Sequence, residues 1–183
     1  IQELLDIVSK DHYDAFLPVV DERLLRQLAL HRDEFEKYTR TGVATYESFS
    51  RMNSKAEVDA LLSRLGSPGP LTFIADSDET LDRVTAEVSF PVIVKPVHGE
   101  GAMGVTILKD PADLKKTCHS LSALFGPLII QEYVYGTKYS AIYLLNSRSE
   151  PRRFFIHRAI REYPVAGGPT CCMESARFEG IYE

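Results

Sequence analysis

The chain reads as an α+β protein of mixed helix and sheet, and three observations predict it. The break Ser67-Pro68-Gly69-Pro70 cannot continue a helix and divides the chain. Beyond it, runs of β-branched residues alternate with helix-period segments. Two of those runs, 91–95 and 105–109, are joined by a glycine-rich turn rather than a helix, which predicts hairpin pairing.

Taken in order, Ile1, Leu4, Leu5 and Val8 fall on one helical face, and residues 14–20 (DAFLPVV) read as a short buried strand. Asp21 caps the next helix, whose apolar side carries Leu24, Leu25 and Leu28. This opening is read as a βα-type remnant, followed by a strand-like segment over 43–49. Ser54-Lys55-Ala56-Glu57 is a capping box that opens a helix running to Gly66. After the break the expected order is strand (71–74), helix (79–88), strand (91–95), glycine loop, strand (105–109), helix, strand (128–134). Asp110-Pro111 starts the last of these helices, with proline at its first position, and Gly126 ends it. From Tyr139 two antiparallel strands are expected over 140–145 and 153–160, joined by a polar loop.

Length and composition fit one large or two small globular domains: 183 residues, 44% hydrophobic and 26% charged. No apolar run approaches the roughly 20 residues of a membrane span, and the N-terminus lacks signal-peptide features, so a cytoplasmic protein is expected. The net charge of −5 has no basic stripe, which argues against nucleic acid as a partner. Cys118, Cys171 and Cys172 form neither a disulfide framework nor zinc-finger spacing and are read as reduced structural thiols. The chain begins without methionine and ends at Glu183, and is read as a piece of a longer protein.

Gly99-Glu100-Gly101-Ala102-Met103-Gly104 satisfies G-x-G-x-x-G, a pattern several architectures share. A dinucleotide fingerprint needs a helix directly after the loop, whereas 105–108 is strand-like. A protein kinase carries its lysine after the loop, whereas Lys95 precedes it; His31-Arg32-Asp33 lacks the asparagine of a kinase catalytic loop, since Tyr38 stands there. A Walker lysine is absent. What remains is a strand ending in Val94-Lys95-Pro96 and a glycine hairpin able to drape N–H groups over phosphates, with the lysine as a point charge. The competing reading is a tight turn beside a solvated strand end.

The order of motifs resembles the ATP-grasp superfamily, in particular the carbamoyl-phosphate-synthetase-type and related carboxylate–amine ligases. The resemblance rests on DAFLPVVD (14–21), Asn53-Ser54-Lys55, FPVIVKP (90–96), the glycine loop and LIIQEYVYG (128–136). It implies an ATP-grasp domain over 51–183, with a β-rich lid over about 68–134 and a central part over 135–183, preceded over residues 1–50 by the remnant of a Rossmann-like α/β domain. It also implies that Lys55 and Lys95 contact phosphates, and that Glu132, Tyr133 and Val134 form the hinge holding adenine. Lys138 stands where the family often has a ribose-binding acid. The family's magnesium-binding Glu and Glu-x-Asn pair are expected downstream of the chain, so no metal ligand is assigned within it, and this stretch alone is not expected to turn over.

Arg158, Arg161 and the loop 163–170 resemble the segment facing the acyl phosphate and acceptor, where an arginine neutralises developing charge. Arg158 reads equally as a charged strand end. His98 could reach a phosphate or simply lie exposed. The implied activity is ATP- and magnesium-dependent activation of a small carboxylate for attack by an amine, in a homodimer. A non-catalytic ATP-binding module and an ATP-grasp phosphotransferase stand beside it.

Overall fold

A computed structural model describes residues 1–165 and 167–177. Their contacts define two compact units, one of residues 1–100 and 104–132, the other of residues 101–103 and 133–183.

The first unit opens with helices α1 (Gln2–Lys10), α2 (Glu22–Leu30), α3 (Arg32–Phe35), α4 (Tyr46–Asn53) and α5 (Lys55–Leu65). Leu5, Val8, Leu28, Ala29, Phe35 and Val43 form their core. Phe16 stacks on Phe35 at 5.5 Å between ring centroids. Asp21 and Ser54 cap α2 and α5 by accepting from the N–H groups of Leu24 and Glu57, and Gly66 ends α5 in the left-handed conformation.

Two expectations fail in this region. The strand expected over 14–20 shrinks to β1 (Ala15–Phe16), paired in parallel with β2 (Arg40–Thr41). Leu17 and Val19 are 73% and 97% exposed, so the apolar run is not a buried strand. The strand expected over 43–49 is instead the start of α4, because the Thr45 hydroxyl accepts from Ser48 N–H and nucleates a turn that overrides the local β-branched and aromatic composition.

The rest of this unit is a two-layer α+β arrangement. Strands β3 (Thr72–Ile74), β4 (Val92–Pro96), β5 (Thr106–Leu108) and β6 (Leu128–Glu132) form an antiparallel sheet in the order β3-β6-β4-β5. Helices α6 (Asp78–Glu87) and α7 (Leu114–Phe125) cover one face, a 3-10 turn at Pro111–Asp113 leading into α7. Leu81 and Val84 of α6 and Leu114 and Cys118 of α7 pack with Val92, Val94, Leu108, Leu128 and Ile130. Burial pushes the Cys118 thiol up to about 11, making it an inert core group. Leu114 is fully buried, so Leu114→Ala is expected to lower stability by about 2–5 kcal/mol, read as a shift in the urea midpoint without a change in m-value.

Strand alternation then decides what the other face carries. Val92 and Val94 point into the helices, so Ile93 and Lys95 stand on the opposite face. Cross-strand register brings Ile107 and Gln131 opposite Ile93, and Ile129 opposite Lys95. Lys95 therefore rises from a largely aliphatic floor.

The second unit contains β7 (Tyr139–Leu145), β8 (Pro151–Glu162) and β9 (Thr170–Ser175), an antiparallel sheet in that order. The first two match expectation. The third falls where the sequence offered only a loop and the cysteine pair. Among the described residues, no helix is long and apolar enough to cross a membrane.

Candidate functional site

Lys55 and Lys95 reach the same region of the first unit by different routes. Lys55 is the first residue of α5, whose start is fixed by the buried Ser54 cap and by its own N–H donating to Val97 O at 3.1 Å. Its Nζ donates to Gly99 O at 2.9 Å and to Val97 O at 3.5 Å. Lys95 is half-buried on β4. Burial lowers its proton affinity, and the like charge of Lys55 lowers it further. Burial also lowers that of Lys55, against the opposing attraction of Glu22. Two desolvated cations repelling each other are stabilised by an arriving polyanion.

Between β4 and β5 the chain runs through the glycine loop, of which residues 101–103 belong to the second unit. Gly99, Gly101, Ala102 and Gly104 all have positive φ, at +112°, +66°, +63° and +70°. At Gly104 the requirement is also steric: a Cβ there would lie 2.8 Å from Pro96 Cγ and 3.0 Å from the Phe125 ring. Glu100 and Met103 are exposed in this loop. Glu100 Oε1 accepts from the N–H of Glu22 at 3.4 Å, while Asn53 Nδ2 donates to Glu22 Oε1 at 2.6 Å. Glu22 thus links the loop, through Glu100, to the end of α4, through Asn53. Sequence reasoning gave Glu22 no part, since nothing in local spacing signals a contact between residues this far apart.

Of the hinge residues, Glu132 ends the central strand β6, and its carboxylate accepts from Leu71 N–H at 3.1 Å. That side chain is spent on the neighbouring chain segment. Tyr133 and Tyr135 pack edge to face at 4.6 Å.

In the second unit a cleft of about 980 Å³ is lined by Tyr133, Val134, Lys138, Arg158, Arg161 and Glu162, among others. Arg158 and Arg161 are three apart and would face opposite sides of a regular strand. Register shifts between Ala159 and Arg161 and between Arg161 and Glu162 break the alternation, and both arginines line the cleft. Arg158 is held by Glu174 on β9, to which both Nε and a terminal nitrogen donate. Lys138 Nζ pairs with Glu162 at 2.9 Å and donates to Gly168 O at 3.1 Å. Gly168 is required where it stands, because any Cβ would run into the backbone of Tyr163. Of the predicted loop, Ala166 lies outside the described residues. Glu162 and Glu174 were missed, since their partners are set by cross-strand register and not by spacing. His98 is exposed and lines a separate groove of about 530 Å³ with Tyr46, Arg51 and Glu57.

Among the described residues, no three His, Cys, Asp or Glu side chains group to hold a metal. All three cysteines are free.

A lysine-bearing strand, a glycine loop and an antiparallel sheet backed by two helices define a two-layer α+β fold. The ATP-grasp domain family matches residues 52–167, and the chain belongs to it. The chain is 26% identical over 136 residues to the N-terminal section of the carbamoyl phosphate synthase large chain of Methanopyrus kandleri, covering 71% of this chain and 24% of that protein. It is 30% identical over 114 residues to the D-alanine–D-alanine ligase of Neisseria gonorrhoeae, covering 62% of this chain and 36% of the ligase. The chain thus spans about a quarter to a third of these relatives.

Solved structures show the same fold. The biotin carboxylase of Campylobacter jejuni, in a β,γ-ATP complex, superposes with a TM-score of 0.70 at 16% identity, over 88% of this chain and 37% of that one. The biotin carboxylase domain dimer of the Hydrogenobacter thermophilus 2-oxoglutarate carboxylase, solved with MgADP and bicarbonate, gives 0.68 at 18% identity, over 88% and 37%.

Proposed function

We propose that this chain is the nucleotide-binding part of an ATP-dependent ligase that activates a small carboxylate as its acyl phosphate for attack by an amine or similar nucleophile. The observation that carries the reading is the pair of partly buried lysines of the first unit, Lys55 and Lys95, with the Lys55 Nζ on Gly99 O. Lys95 and Lys55 neutralise phosphate charge, and the N–H groups of Gly99, Glu100 and Gly104 orient the phosphates. The aliphatic floor around Ile93 suits a flat base. Residues 68–134 serve as the lid and 135–183 as the central part, with residues 1–50 belonging to a preceding domain.

In the second unit Arg161 and Arg158 face the acceptor side. Charge neutralisation and positioning are enough for phosphoryl transfer, with no protein nucleophile required. Magnesium enters this reading from the MgADP complex of the carboxylase neighbour. The described residues offer it no carboxylate cluster. A cytoplasmic location accords with three free thiols, and a homodimer accords with the dimeric carboxylase domain.

Isothermal titration with ATP and with GTP, each with magnesium, tests the proposal. Saturable ATP binding with clearly weaker GTP binding is the expected result. No heat from either nucleotide, with a chain whose circular dichroism is that of a folded α+β protein, would sink it.

A further inference from the structure

The cleft of the second unit has a charge pattern that restricts what it can take. Its lining carries three cations, Lys138, Arg158 and Arg161, and one acid, Glu162. Lys138 is committed to Glu162, and Arg158 to Glu174. Among the described residues, no hydrogen bond or ion pair uses the Arg161 side chain, so three cations against two acids leave one uncompensated positive charge. The remaining wall includes Tyr133, Val134, Ile160, Tyr163 and Val165.

We propose that this cleft selects a singly charged carboxylate with an uncharged, partly apolar body, bound through Arg161, and rejects dianions. The proposal deepens the function reading above, resting on it for the cleft's role as the acceptor side. Arg161 provides a planar fork that matches one carboxylate. A second anionic group would have to displace Glu162 from Lys138 or Glu174 from Arg158, leaving that acid unpaired beside it. Arg158 and Lys138 are positioning residues, which tie β8 to β9 and the Lys138 segment to the Gly168 turn. Aromatic and aliphatic walls favour a body with apolar surface over a small hydrophilic one.

The probes are 3-phenylpropionate, succinate and inorganic phosphate, each titrated into the chain by ligand-observed NMR, with ATP titrated into the same samples. The native chain is expected to bind 3-phenylpropionate roughly 3- to 10-fold tighter than succinate, an extra unmatched charge costing about 1 kcal/mol at an open site. Arg161→Gln should lose the monoanion. Glu174→Gln frees Arg158 and should move the preference toward succinate or phosphate, and Glu162→Gln should do the same through Lys138. A merely structural role for the two acids would not reverse selectivity. Succinate preferred by the native chain, an Arg161→Gln variant that binds 3-phenylpropionate normally, or an unchanged ratio in both acid variants would each overturn the proposal. Failure of ATP to bind while the selectivity holds would remove the ligase reading alone.

Discussion

Lys95→Met is expected to weaken ATP binding roughly 10- to 150-fold, the worth of a charge-assisted hydrogen bond of about 1.5–3 kcal/mol. The same substitution should leave the chain as stable as before, or more so. Methionine keeps the unbranched stem that packs over β4, and removes a charge that is half-buried and repelled by Lys55. Opposite signs on binding and stability separate a ligand-binding lysine from a structural one; unchanged affinity in titration calorimetry would remove Lys95 from the site.

The same lysine predicts a proton signature. Its folded-state proton affinity is lowered, so the unfolded chain holds the proton to higher pH. The charged lysine therefore costs stability below its folded pKa, and the cost fades as pH rises toward the ordinary lysine value. Phosphate bound at Lys95 would oppose the shift. ATP binding at a pH of about 9.5, just below the ordinary lysine value, should take up protons, seen as a dependence of heat on buffer ionisation, and Lys95→Met should diminish the uptake.

Gly104→Ala is expected to be the most damaging single methyl in the glycine loop, at roughly 2–4 kcal/mol from a left-handed backbone together with overpacking. Its Cβ would press on Pro96 of β4 and on the Phe125 ring at the end of α7. Gly101→Ala is the control, because it shares the positive φ but meets nothing within 4 Å. Urea denaturation should give Gly101→Ala a cost near 1 kcal/mol from backbone strain alone. Equal costs for the two would mean that the packing around Gly104 is not what fixes it.

Much of the first unit was legible because its signals are local. Ser54, Asp21 and Gly66 cap where their chemistry predicts, and Lys95 before a glycine turn between two β-branched runs specified a hairpin. Local signals also misled: the residues before Phe49 look strand-like, yet one hydroxyl on Thr45 starts a helix. The second unit was harder to read for a different reason. Bulges near Ile160 bring Arg158 and Arg161 into one cleft, and Glu162 and Glu174 find their cations through strand pairing. Alternation of residues cannot reveal a bulge, and sequence separation cannot reveal a cross-strand partner.

The strand order β3-β6-β4-β5 also sets a timetable for synthesis. β4 and β5 leave the ribosome close together and can pair at once as a hairpin, but β3 must wait for β6, the last strand of this sheet to be made, which pairs with both β3 and β4. Until Leu128–Glu132 has emerged, Val92 and Val94 have no neighbour on one side and Thr72–Ile74 has none at all. The nascent chain therefore carries open, apolar strand edges through the whole of α7, the stretch of synthesis in which edge-to-edge misassociation has its opening.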